Sequence, residues 1–148
     1  MEFLALMCVA LSVTGPVAHL ASLPNKIDVP RDAYFVMQRV YDGWWVLGLP
    51  WVGAVCLSAL AAYVNRRDRR TMLLWASACA LMLVTFGIFL VWTAPANHAT
   101  MNWTRVPDDW AVLRREWELS HAVNAATTLA ALCCAALAVL RPARDTTG

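Results

Sequence analysis

Three histidines, His19, His98 and His121, fall near the same end of three apolar stretches of this chain. At a similar depth along those stretches stand Asn97, Asn102, Arg114, Arg115, Glu116, Glu118 and Asn124. Side chains of these types support three kinds of role. Neutral imidazoles bind zinc, copper or iron, and Glu118 precedes His121 by one helical turn. A di-iron bundle needs two Glu-x-x-His elements and two further carboxylates; Glu2, Glu116 and Glu118 are the only glutamates, which excludes it. A mononuclear three-histidine site would draw on three separate helix ends with no His-x-x-x-His pair, so no stoichiometric transition metal is expected. The second role is proton transfer. An imidazole titrating near neutrality takes a proton from an acidic carbon or a phenol while arginine and amide groups hold the anion. His121 is then the base, and Arg114 or Arg115 with Asn97 and Asn124 hold the anion. His19, His98, Asn102, Trp103 and Trp117 complete a substrate pocket. The third role is structural, the same groups capping helices and pairing with one another.

The elements that carry these groups follow from hydropathy. The chain has 148 residues, 60% of them hydrophobic and 15% charged, with a mean hydropathy of +0.52. That composition is too apolar for a soluble domain. Four stretches reach the roughly 20 apolar residues needed to cross a ~30 Å hydrocarbon core: about 3–22, 44–64, 72–92 and 119–140. The expected architecture is all-α, a single-domain integral membrane four-helix bundle with the lipid bilayer as its principal partner. The fourth helix is expected to be long and to extend out of the bilayer, because no glycine or proline interrupts it after Pro107. On that helix Trp110, Arg114, Trp117, His121, Asn124 and Thr128 lie within roughly 40° of one line. A histidine and an asparagine thus enter the apolar span sideways, and polar groups in hydrocarbon need partners.

Loop charge sets the expected orientation. Four arginines lie in Asn65-Arg66-Arg67-Asp68-Arg69-Arg70, and the tail adds Arg141 and Arg144. Positive loops face the cytoplasm, so both termini are expected there, in a bacterial inner membrane, with the histidines at the outer face. The first span lacks the positively charged start of a signal peptide and is expected to be retained. A net charge of +2 suggests no nucleic-acid partner, and a homo-oligomer is left open. Pro24 and Pro30 predict an extended crossing over 23–30, followed by a short amphipathic helix from Arg31 at the outer interface. Asp108 and Asp109 are expected in the first turn of the long helix, and Arg114 with Glu118 as an exposed pair. Most tryptophans suit an interfacial belt; Trp103 and Trp117, beside the polar candidates, are the exceptions. All five cysteines fall within spans and are expected as reduced thiols.

Residues 95–125 contain Pro-Ala-Asn-His-Ala-Thr-Met-Asn-Trp-Thr, then Pro-Asp-Asp-Trp, Leu-Arg-Arg-Glu-Trp-Glu and Ser-His-Ala-Val-Asn-Ala. This run resembles the anthrone-oxygenase-like family of small four-helix membrane proteins. The matching positions are Asn97, Trp103, Pro107, Trp110, Arg114 or Arg115, Trp117 and His121. The resemblance implies oxidation of a lipophilic aromatic substrate by molecular oxygen with no cofactor. It covers about 30 residues, and the rest of the chain matches only in the four-span layout. A non-enzymatic accessory subunit or small-molecule binder is the alternative.

Overall fold

The computed structural model describes residues 1–141; Arg144, one of the tail charges, lies outside them. The described residues form helices joined by turns, with no strand among them. Helix α1 spans Glu2–Lys26, α2 Arg31–Gln38, α3 Gly48–Val64, α4 Arg69–Ile88, α5 Ala94–Ala99 and α6 Trp110–Val139. Short 3-10 turns at Arg39–Tyr41 and Trp44–Leu47 lead from α2 into α3. Four helical segments, Glu2–Lys26, Trp44–Val64, Arg69–Ala99 and Trp110–Val139, are long and apolar enough to cross a membrane. The chain is accordingly an integral multi-pass membrane protein.

The four long helices close into a ring in which α1 packs on α3 and α6, and α4 packs on the same two. Small residues allow this close approach. At the end nearest the arginine-rich turn the core is built from Ala5 and Val9, Ala54 and Ala61, Trp75 and Ala78, and Ala131, Ala135 and Ala138. Without a hydrophobic drive between helices in lipid, such contacts supply the packing attraction. Gly53 allows one of these approaches, since a Cβ there would sit 2.8 Å from Cys8 Sγ and oblige that thiol to rotate away. Outward-facing Phe3, Leu11, Val52, Leu60, Val84 and Leu137 are exposed, as a lipid-facing surface demands. Asp68 caps α4, accepting from the Arg70 backbone N–H at 3.2 Å and the Thr71 hydroxyl at 2.6 Å. All five cysteines are free thiols.

Several boundaries differ from the sequence expectations, each for a physical reason. The 23–30 crossing is not extended: α1 runs through Pro24 to Lys26, because the buried Lys26 side chain anchors that last turn. The third span, expected to end near residue 92, runs on to Ala99. A π turn at Phe89–Thr93 joins α4 to α5, and Pro95 sits in the first turn of α5, where its missing N–H needs no helical acceptor. The long helix starts at Trp110 rather than at Pro107, and Asp109 stands at its N-cap without a side-chain capping bond.

Candidate functional site

The end of the ring opposite the arginine turn holds a buried ion pair. Lys26, from the last turn of α1, and Glu118, from α6, are each 1% exposed. Their Nζ and Oε2 atoms lie 3.0 Å apart. Burying two charges is costly unless their remaining valences are met; most are met here, while Glu118 Oε2 faces the ammonium as an ion pair without an aligned hydrogen bond. Tyr34 of α2 donates to Glu118 Oε1 at 2.8 Å, while Lys26 Nζ reaches Tyr41 Oη at 3.1 Å and His19 Nδ1 at 3.3 Å. Burial, then the neighbouring Glu118 carboxylate, push the Tyr34 phenol well above its usual range, so it stays protonated as the donor. Glu118 is therefore not the exposed partner of Arg114. Arg114 instead donates to the Val29 carbonyl at 2.9 Å and stacks over the Tyr34 and Trp110 rings. Its stretch of α6 lies alongside α2 and its preceding loop, and a planar guanidinium suits both contacts.

Beside this cluster the imidazoles of His19 and His121 stack in parallel, centroids 4.0 Å apart and planes 8° apart. Trp117 stands edge-on to both rings, at 4.7 and 4.3 Å, and Tyr41 packs on His19 at 4.1 Å. Trp117 is held in turn by Asn97, whose Oδ1 accepts its indole N–H at 2.7 Å. Both histidines face a cavity of about 620 Å³. Its wall is drawn from α1, the end of α2, the α2–α3 connection, α3, α4, the π turn, α5, the following loop and α6. Trp44, Trp51, Phe86 and Phe89 supply apolar surface, and Trp45, on its rim, is 81% exposed.

Polar groups in the wall are left without partners. Gln38 has neither amide atom bonded, Trp103 Nε1 has no acceptor, and Asn124 Oδ1 has no donor. These residues are 5%, 4% and 6% exposed, respectively, and all three line the cavity. Trp103 is brought there by unusual backbone. Met101, Asn102 and Trp103 are consecutive left-handed residues, φ 49°, 54° and 61°, a conformation costing roughly 1–2 kcal/mol per non-glycine residue. Thr100 holds the turn: its Oγ1 accepts from Trp103 N–H at 3.1 Å and its carbonyl from the Thr104 and Arg105 N–H groups.

Of the residues singled out from sequence, His19, Asn97, Asn102, Trp103, Trp117, His121 and Asn124 converge on this cavity. Three do not. His98 is exposed on the outside of α5 and Arg115 is exposed on α6, while Arg114 faces α2; none of the three lines the cavity. Neighbours in sequence on a helix point about 100° apart, so Asn97 and Arg114 cannot bring His98 and Arg115 with them. No group of three or more metal-ligating side chains occurs among the described residues. Lys26, Tyr34 and Gln38 were missed. The signals were present: Lys26 is the chain's only lysine, and Tyr34, Gln38 and Tyr41 share a helical spacing that turns inward. The chain matches no family model, no curated protein and no solved structure.

Proposed function

We propose that the chain is a four-helix transmembrane bundle, oriented with both termini in the cytoplasm of a bacterial inner membrane, that binds a lipophilic aromatic small molecule at its outer end. The observation that carries this reading is the set of unpartnered polar atoms on Gln38, Trp103 and Asn124 in the wall of an otherwise aromatic cavity. Each such atom costs about 1–3 kcal/mol when left unpaired. A flat molecule with oxygen substituents recovers that loss while covering the aromatic wall. The cavity volume suits a drug-sized molecule.

The chemistry follows from the imidazole pair. His121 takes a proton from an activated carbon of the substrate, and the carbanion passes electrons to dioxygen. A methylene and O₂ together then give a carbonyl and water, with the proton returned from His121. This agrees with the resemblance to anthrone-oxygenase-like proteins. The arginines, turned away from the cavity, take no part; His19, Gln38 and Trp103 are the groups available to a developing oxyanion. Purified protein in nanodiscs, given anthrone and oxygen, should form anthraquinone with matched oxygen uptake. His121→Ala should lower turnover by ~10²–10⁴ without lowering the melting temperature. A second reading, binding without turnover, is favoured by the placement of Lys26, Glu118 and Tyr34, which are tied to one another outside the cavity wall; its signature is saturable binding of anthrone with no oxygen uptake.

A further inference from the structure

The Lys26 ammonium lies outside the cavity wall, yet its contacts decide which atom of His19 faces it. Nζ is within 3.3 Å of three groups: Glu118 Oε2, Tyr41 Oη and His19 Nδ1. An ammonium has three donors and no lone pair, so the ring nitrogen facing it can only accept. A neutral imidazole that accepts at Nδ1 carries its proton on Nε2. No protein group among the described residues bonds His19 Nε2, and none bonds either ring nitrogen of His121.

The geometry points to Lys26 as a positioning residue that locks His19 in the Nε2–H tautomer and so makes it a hydrogen-bond donor toward the cavity. The two stacked rings then divide the work. His19 offers an N–H to a substrate oxygen, and His121, with neither nitrogen engaged, keeps a lone pair for a proton. Glu118 and Tyr34 act one step further back, holding the ammonium in place through the ion pair and the phenol bond to its other oxygen. This division of labour rests on the proposed ligand site, but the tautomer itself belongs to the empty protein and is measured without any ligand.

The test is a long-range proton–nitrogen NMR correlation on full-length protein, labelled with ¹⁵N-histidine in nanodiscs. Signals are assigned by the single variants His19→Ala, His98→Ala and His121→Ala. In the wild type, His19 should show one tautomer, protonated at Nε2 and accepting at Nδ1. In the double variant Lys26→Met/Glu118→Gln, which removes both charges together, the second tautomer should appear at His19, as in a free imidazole side chain. A wild-type His19 protonated at Nδ1 overturns the assignment. A folded double variant with an unchanged His19 pattern overturns the role of Lys26. Should that double variant not fold, Lys26→Met/Glu118→Met is measured against the same two outcomes. Failure of the ligand reading, by contrast, leaves these spectra as stated.

Discussion

Removing one member of the Lys26–Glu118 pair should be far more harmful than removing both. The charges lie 3.0 Å apart with side chains 2% and 0% exposed. At an effective dielectric of ~20 their attraction is about 5 kcal/mol, which offsets the desolvation of two buried ions. Lys26→Met leaves the carboxylate with the Tyr34 phenol as its only donor. Glu118→Gln turns an amide toward a buried ammonium. Breaking a buried pair from one side typically costs about 3–5 kcal/mol, which in a chain of this size lowers the melting temperature by roughly 10 °C. The double variant Lys26→Met/Glu118→Gln has no uncompensated charge and should fall within about 1–2 kcal/mol of wild type. Cys8, Cys79 and Cys134 are half-buried while Cys56 and Cys133 are exposed, so in a Cys56→Ala/Cys133→Ala background thermal unfolding in detergent can be followed with a thiol-reactive fluorophore. Two mild single variants whose effects simply add in the double would mean that the two charges are not coupled.

Three further outcomes are expected. The Asp68 carboxyl is held below the usual range mainly by the Thr71 hydroxyl, with the Arg70 N–H assisting. Its contribution is therefore complete above about pH 4 and is lost as the pH falls through the folded-state value, so melting curves between pH 2.5 and 6 should flatten in Asp68→Asn. Asn97→Ala strips the acceptor from the Trp117 indole and should cost about 1–3 kcal/mol, whereas His98→Ala, on the exposed side of the same helix, should stay within about 0.5 kcal/mol of wild type by the same melt. Reporter fusions after Arg70 should read as cytoplasmic and a fusion after Pro30 as external; a cytoplasmic readout at Pro30 overturns the orientation.

What could be seen in the sequence was whatever a single helix displays. The Trp117, His121, Asn124 and Thr128 stripe is a property of helical periodicity alone, and all four residues line one cavity. Trp110 and Arg114 belong to the same stripe but lie above the ring, where α2 is their neighbour, and periodicity carries no information on which neighbour a helix meets. Tertiary pairing hid the rest. Lys26 follows a proline that predicts broken helix, yet a buried salt bridge to Glu118 across 92 positions outweighs that local preference. Glu118 invited pairing with Arg114 one turn away, because local rules see i, i+4 partners and not a phenol from another helix. The left-handed Met101-Asn102-Trp103 turn has no glycine to announce it.

Whether the cavity receives a lipophilic aromatic molecule can be read by titrating the protein in nanodiscs with anthrone or anthraquinone while following tryptophan fluorescence. Five tryptophans line or rim the cavity, Trp44, Trp45, Trp51, Trp103 and Trp117. Quenching should saturate at one molecule per chain. In Gln38→Leu/Asn124→Leu, which removes two unpartnered polar groups, the affinity should fall at least about tenfold, as loss of ~1.4 kcal/mol implies, while the ligand-free protein melts no lower. Quenching that rises linearly with probe, equally in this double variant and in the wild type, would mean that the cavity receives no such molecule.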